Sequence, residues 1–454
     1  MAIFTLSPLP FGSVGELWPQ LHGILIGIAL IIHVFDCWRS NQPLPAVPGI
    51  LMVAAALVGM VALWGYVQAI PGLFPALQHP FWAQTATLLQ QPDMPGYLSL
   101  APQQSVQVAT RYLVYLGFAL LVVWHGRRQR NAELLLVIFV AAQAVYALYG
   151  LTLYFTGSDT LLWFARPSPG AVTSTFVNRN NYATFAGLGI LAALMLVLRY
   201  LRRTFEEERS ARTRLRELIE TMTSYGWLLA LTLLLLFAAI LLTQSRMGLL
   251  AVMAASSVLL VSWMARLPPG APRRLGGLLL VLLVALVAVN FVLSGGATAD
   301  RLLHLLQEED LRFAAYPLVL EAISERPWIG YGLGAFETAF RAFRDESIPF
   351  LFSRAHSDYL ELVMDLGWPM AILMLSSFAL LLIAAWRASR VRTEYEFALL
   401  SLAATIQIAL HSALDFSMQL AAVVYAYLLV ALVGLGRPGR ARPRPRHRPD
   451  PAGV

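Results

Sequence analysis

The chain has 454 residues, of which 58% are hydrophobic and 13% charged, against roughly 45–50% and about 25% in ordinary soluble domains, and its mean hydropathy is +0.64. That composition excludes a soluble enzyme, a disordered chain and a secreted scaffold, and leaves a membrane protein. All 33 basic residues are arginine, so cation placement is a question about guanidinium groups alone. Cys37 is the single cysteine, which excludes an intramolecular disulfide and a cysteine-based metal site; at the end of an apolar run it reads as a small buried side chain.

A hydrocarbon core about 30 Å thick is crossed by around 20 apolar residues rising 1.5 Å each. Runs of this kind lie near 20–38, 47–67, 105–124, 132–155, 181–200, 226–243, 247–265, 275–294, 357–386, 395–413 and 417–435. They predict an all-α, polytopic membrane bundle of about eleven transmembrane helices. No basic leader with a small-residue cleavage site precedes the first run, so that run is read as retained. A short segment near 1–15 could add a re-entrant span.

Short translocated loops avoid positive charge, and retained ones collect it. Arg39, Arg127 with Arg128 and Arg130, seven arginines from Arg199 to Arg216, Arg266 with Arg273 and Arg274, Arg387 with Arg390 and Arg392, and six from Arg437 to Arg448 fall in alternate connections, 23 of the 33 in all. These connections and the C-terminus are therefore expected in the cytoplasm and the N-terminus outside. Residues 1–435 read as one integral membrane unit. The tail 436–454, rich in Arg and Pro, reads as a disordered basic cytoplasmic segment beside anionic lipid, with no nucleic-acid role. The mixed charges from Glu206 to Arg216 suit a short solvated helix with i,i+4 pairs.

The ten remaining arginines stand where the charge rule disfavours them: Arg111 inside a run, Arg166, Arg179, Arg246, and then Arg301, Arg312, Arg326, Arg341, Arg344 and Arg354 in one long outer connection. That connection, about 295–356, and the segment 68–104 are the two sizeable outer loops. The longer one repeats apolar residues at helical spacing, as in Leu302, Leu303, Leu305, Leu306, Phe313, Tyr316 and Leu320, and predicts amphipathic helices on the membrane surface. Guanidinium forks bind phosphate oxygens in pairs, and helix N-termini add N–H donors for the same anion. Arg179 and Arg246 both stand at the start of a run. Clustered outer arginines thus suggest a lipid-linked phosphate or pyrophosphate ligand; snorkelling, or pairing with a carboxylate, is the structural alternative.

His356 is a lone histidine at the mouth of a run, between Arg354 and Asp358. An imidazole titrates near neutrality and can take a proton from a hydroxyl, so His356 is the candidate base and Asp358 the residue that could orient it. The outer face offers no Asp-x-Asp pair, HExxH or cysteine ligands, and Glu308-Glu309-Asp310 reads as solvated loop, so no metal is expected. Gly330-x-Gly332-x-Gly334 follows no strand and is no dinucleotide fingerprint; it reads as a sharp turn next to a surface helix.

These residues carry a resemblance. Phe176-Val177-Asn178-Arg179-Asn180-Asn181-Tyr182-Ala183 resembles the FVNRNxFA element of the O-antigen ligase and polymerase family, and Ser245-Arg246-Met247-Gly248 its SRxG element. Arg312 followed by Pro327-Trp328-Ile329-Gly330-Tyr331-Gly332-Leu333-Gly334-Ala335-Phe336 is similar to the stretch ahead of that family's key histidine. His356-Ser357-Asp358-Tyr359-Leu360, with Asp365 and Gly367, resembles its HNxYLxxxxExG element. The four elements occur in order across 170–370. Ser357 stands where Asn is usual and Asp365 where Glu is usual, which puts acceptor geometry in question.

The resemblance implies a metal-independent, cofactor-free glycosyltransferase of the bacterial inner membrane, with its active site facing the periplasm. It would move a glycan from an undecaprenyl-pyrophosphate carrier to an acceptor hydroxyl, on lipid A core for a ligase or on a growing surface or exopolysaccharide chain for a polymerase. Arg179, Arg246, Arg312 and Arg354, with Asn178 and Asn181, would hold the pyrophosphate; His356 and Asp358 would be catalytic. The competing reading is a multi-span transporter or flippase for a lipid-linked or anionic substrate, for which His411 and Asp415, four residues apart, are the feature to claim; as residues of the bundle lining they would instead support the site.

Overall fold

The computed structural model describes residues 1–15, 17–165, 170–206, 226–267, 271–294, 298–349 and 351–436, with the side chains of 205–206, 271–272, 283, 286–294 and 298–310 outside the described set. The tail beyond 436, the charged stretch from 207 to 216, Arg166, and the side chains of Arg301, Glu308, Glu309 and Asp310 therefore lie outside the described residues.

Each apolar run is a helix. In chain order these are α1 (Ala2–Leu6), α2 (Leu17–Arg39), α3 (Gly49–Gln68), α4 (Pro80–Leu88), α5 (Pro102–His125), α6 (Gln129–Phe155), α7 (Arg179–Glu206), α8 (Trp227–Thr243), α9 (Arg246–Met264), α10 (Ala271–Ser294), α11 (Thr298–Glu325), α12 (Phe336–Phe340), α13 (Asp358–Val391), α14 (Glu396–His411) and α15 (Ala421–Leu432). Among the described residues, seven helices are long and apolar enough to cross a membrane: α2, α3, α5, α6, α7, α9 and α13. Helices α8, α14 and α15 are apolar but shorter. A helix is what such runs must form where water cannot satisfy the backbone. The segment near the N-terminus is no span. It is the single turn α1 with a tight turn at 11–13, held by Phe4 in the core and by the Tyr146 hydroxyl donating to the Thr5 carbonyl at 2.6 Å. A two-stranded hairpin pairs β1 (Thr160–Leu161) with β2 (Phe164–Ala165).

Helix α7 is the centre. It packs on α6, α8, α9, α14 and α15, and Gln143 of α6 and Gln407 of α14 donate to the carbonyls of Phe185 and Thr184 at 3.1 and 2.9 Å. Helices α3, α5 and α13 form a second group. The connection between α10 and α13 holds α11 and α12, which build a separate apolar cluster with the start of α13 around Val319, Tyr331, Phe336, Phe340 and Met364.

Helix α13 breaks at Gly367, whose φ is +72°, two residues before Pro369. Proline has no N–H, so the Asp365 carbonyl four residues earlier has no partner within the helix. It accepts instead from Gly332 N–H at 2.9 Å, while the Met364 carbonyl accepts from Tyr331 N–H at 3.0 Å and Trp368 N–H turns out to the Pro327 carbonyl at 2.8 Å. The glycine-rich stretch can follow this path because Gly330, Gly332 and Gly334 all have positive φ. The sharp turn expected from these glycines is real, and what they turn around is the break in α13.

Candidate functional site

Two sequence elements far apart in the chain begin helices at the same end of the bundle. Asn178 caps α7, its Oδ1 accepting from Asn180 N–H at 2.7 Å, and Ser245 caps α9, accepting from Gly248 N–H at 3.2 Å. Both are short polar side chains of the kind that satisfy the first N–H groups of a helix. Arg179 and Arg246 are then the first residues of their helices. Gly248 is what lets the two starts approach: a Cβ added there would stand 2.6 Å from the Ala183 Cβ. Arg246 is exposed, with no hydrogen bond or ion pair among the described residues.

A third start is that of α13. Ser357 caps it, its Oγ accepting from Leu360 N–H at 3.4 Å, so the serine in place of asparagine supplies the same kind of acceptor. His356 precedes it with φ +51°, a left-handed conformation that histidine tolerates better than most residues. Its ring lies edge-on between Phe352 and Phe416, at 5.6 and 5.1 Å between centroids. Its carbonyl accepts from the Tyr316 hydroxyl of α11 at 3.0 Å, and Arg312 stands one turn before Tyr316. Burial, with the Arg312 guanidinium beside it and Asp415 opposing, pushes the His356 imidazole down to about 4, so the ring is neutral at neutral pH. Its buried Nδ1 has no hydrogen-bond partner among the described residues.

The hinge 411–419 between α14 and α15 ties the starts of α7 and α13 together. The Ser417 hydroxyl lies 3.1 Å from Asn181 Oδ1, 3.0 Å from Asp415 Oδ2 and 2.7 Å from the Thr184 hydroxyl, which in turn bonds to His411 Nδ1. On the other side of the hinge, Asp358 N–H donates to the carbonyls of Ser412 and Asp415 at 2.9 and 3.1 Å, and Asp358 Oδ2 accepts from the Ser412 hydroxyl at 2.7 Å and from Met418 N–H at 3.3 Å. Asp358 thus anchors the start of α13 on the hinge, and no hydrogen bond joins it to His356 among the described residues. The hinge groups are almost wholly buried, and Asp358 Oδ1, Asp415 Oδ1 and His411 Nε2 lack partners among the described residues. His411 Nε2 is 3.8 Å from Asp415 Oδ2, too far for a hydrogen bond. Buried polar atoms without partners are uncommon in native proteins.

Arg354 is committed. Its Nη1 lies 2.8 Å from Glu361 Oε1, and Glu361, 1% exposed, also accepts from Ala355 N–H at 3.0 Å. Of the other arginines in the connection before α13, Arg341 pairs with Glu337 at 2.8 Å, and Arg326 donates to the carbonyls of Gly330 and Leu77 at 3.1 and 2.9 Å. Arg312 is half-buried and has no ion pair among the described residues. Asp365, shorter than the usual glutamate, accepts directly from Gly334 N–H at 2.7 Å and so locks the glycine stretch. Among the described residues no three His, Cys, Asp or Glu side chains come together as a metal site.

Beside Asp358 a cavity of about 210 Å³ opens between α3, α5, α13, α14 and α15, with Asp358, Ser412 and Gln419 among its few polar groups and Tyr112, Tyr115 and Tyr427 in its wall. A further pocket of about 120 Å³ shares Val58, Leu116, Ser377 and Leu381 with it and runs on toward Leu51 and Leu432. None of the candidate arginines lines either one. Glu361, Tyr316, Thr184, Ser412 and Ser417 escaped sequence reasoning; the polar run Ser412, Asp415, Ser417 inside an otherwise apolar stretch is the signal that could have found the last two.

No curated protein matches the chain. Residues 231–375 match the family model described as O-antigen ligase, a segment that contains Arg246, Arg312, Arg354, His356 and Asp358 and lies C-terminal to Asn178, Arg179 and Asn181. That match over about a third of the chain, with the ordered elements at Arg246, Arg312 and His356, supports an O-antigen ligase or polymerase family assignment.

Proposed function

We propose that this chain transfers a glycan from an undecaprenyl-pyrophosphate carrier to an acceptor hydroxyl at the periplasmic face of the inner membrane, without a metal. The observation that carries the reading is the gathering of two helix starts on one buried hinge, with an arginine beside the histidine: Asn181 of α7 and Asp358 of α13 both bond to residues 411–419, and Arg312 of α11 stands close enough to His356 to depress its basicity.

The chemistry follows from those groups. The acceptor oxygen forms a bond to the anomeric carbon while the bond from that carbon to the pyrophosphate oxygen breaks; the electron pair leaves with the pyrophosphate, and the proton passes to the His356 imidazole. A leaving anion calls for fixed positive charge rather than an acid. Arg246 and Arg312, with Arg179 and the capped starts of α7 and α9, supply it. A neutral imidazole is already in the form that accepts a proton. Arg354 acts at one remove, by pinning the chain before His356 to Glu361, while Asn178 and Asn181 fix the α7 start. The apolar cavities running from Asp358 down between α3, α5 and α13 suit part of a prenyl chain. The acceptor is lipid A core or a growing glycan.

The test uses the purified chain with a polyprenyl-pyrophosphate-linked glycan and an acceptor. Transfer unaffected by a chelator, and abolished in His356→Ala with carrier binding retained, supports the reading. A need for a divalent ion, or equal transfer by His356→Ala, rejects it. Reporter fusions at Ala297 and Arg390 should mark opposite compartments; the same compartment for both would separate the donor from these residues.

A further inference from the structure

The outer segment 68–104 differs in chemistry from everything around the arginines. It contains seven glutamines, six prolines and one charged residue, Asp93. It folds as a cap: Gly72 N–H donates to the Gly96 carbonyl at 2.9 Å, His79 N–H to Tyr97 at 3.0 Å, and α4 lies between. Two clefts open in it, of about 760 and 520 Å³, and no charged side chain lines either. Trp82 and Met94 belong to both. Trp82 is fixed in orientation, because its Nε1–H donates to the Ser99 carbonyl at 3.1 Å and its ring leans on Tyr97 at 5.0 Å. Gln78, Gln90 and Thr87 bring amides and a hydroxyl to the larger cleft. His79 is held near 4 by burial and by Arg326, so it adds no charge at neutral pH.

We infer that this cap is a subsite for an uncharged stretch of glycan, seated on the Trp82 ring between the two clefts; this rests on the proposed glycan transfer. Pyranose rings offer an apolar C–H face to stack on an indole and a rim of hydroxyls that amides can both donate to and accept from. A phosphate or carboxylate would find no cation in the lining of either cleft, since Arg326, behind His79, is engaged with the carbonyls of Gly330 and Leu77. The proline-rich backbone and the locked indole limit the ordering cost of binding. The cap also belongs to the same end of the molecule as His356. Gln68 donates to the Ile329 carbonyl and accepts from Leu333 N–H, each at 3.0 Å, and Leu100 N–H donates to the Tyr331 carbonyl at 2.8 Å. The cap is thus built onto the glycine stretch that wraps the break in α13. A glycan held there would be gripped at sugars remote from the reacting bond.

The experiment uses the full chain in nanodiscs and, as probe, the free oligosaccharide released by mild acid from the host's polyprenyl-linked glycans. Saturation-transfer NMR should show binding that weakens about 10-fold in Trp82→Ala, the size of one lost aromatic contact, and about threefold in Gln90→Ala, which removes no described hydrogen bond. In transfer assays both variants should raise KM for long glycans and leave kcat unchanged. Equal affinity in wild type and both variants, displacement of the probe by lipid alone, or a fall in kcat with KM unchanged would each overturn the subsite. Trp82-dependent binding in a wild-type chain that transfers nothing would uphold the subsite and reject the transfer reading, so the two failures are distinct.

Discussion

At one end of the bundle Arg199, 3% exposed, lies 2.7 Å from Glu133, 3.2 Å from Glu394 and 3.3 Å from Glu396, and stands over the Phe397 ring. Arg202 joins Glu396, and Arg203 reaches Glu133 at 3.0 Å. At the other end Arg246 and Arg312 meet no carboxylate among the described residues, and the one deeply buried carboxylate near His356 that pairs with an arginine, Glu361, is taken by Arg354. The same residue type is therefore spent on structure at one end and left available at the other. Guanidinium groups that carry their counter-ions with them hold α6, α7 and α14 together. Those without counter-ions can accept one from a ligand.

The largest effect should come from the group that would touch the reacting atoms. His356→Ala is expected to lower transfer by about 10²–10⁴-fold, the range of a general base, with a smaller loss of stability than Arg199→Ala; a variant with wild-type turnover per folded molecule would remove His356 from the chemistry. The opposite end should show the reverse pattern. Arg199→Ala leaves three carboxylates with one fewer cation and should cost about 3–5 kcal/mol of stability, read as a lower unfolding temperature, while turnover of the surviving folded protein is unchanged. If Arg199→Ala instead lowered turnover at unchanged stability, the contrast between the two ends would be lost.

Arg246→Lys and Arg312→Lys sharpen the contrast, because each keeps the charge and loses the planar fork. Each should slow transfer by about 10- to 150-fold, equivalent to about 1.5–3 kcal/mol, with unfolding unchanged. Near-wild-type rates in both would mean that neither arginine holds the leaving group.

The acid limb of the pH profile is a smaller but separate check. His356 is neutral down to about pH 4 in the free protein because burial and Arg312 disfavour the imidazolium. The plot of kcat/KM, which reports the free enzyme, should stay flat from neutral pH and fall only toward pH 4. Once an anionic donor offsets Arg312, the limb in kcat should move to higher pH. Because the folded pKa lies below that of an unfolded histidine, the same group lowers stability as pH drops from about 6.5 toward 4. The smallest effect is Ser357→Asn. Both residues cap helices well, and stability should change by less than about 0.5 kcal/mol; a large loss would show that Ser357 does more than cap α13.

Sequence alone reached the helices, because a chain segment with no water around it can satisfy its backbone only as a helix, and apolar run length reports that directly. It also placed Arg179 and Arg246 at the starts of runs, and the structure caps those starts with Asn178 and Ser245, short polar side chains that act within three residues of themselves. The partners were another matter. Whether Arg354 is a ligand or a strut depends on Glu361, seven residues on and turned inward by the packing of α11 and α13. Asp358 looked like a companion of His356 by proximity in the chain, and its carboxylate in fact faces Ser412 and Met418, more than fifty residues away. The glycine stretch at 330–334 announced a turn, and only the tertiary structure could reveal that it turns around carbonyls left open by the break at Gly367 and Pro369. Local geometry is fixed by neighbours in the chain and is written there; ion pairs and long-range hydrogen bonds are fixed by which helix faces meet, and in an all-apolar bundle many faces look alike until they are packed.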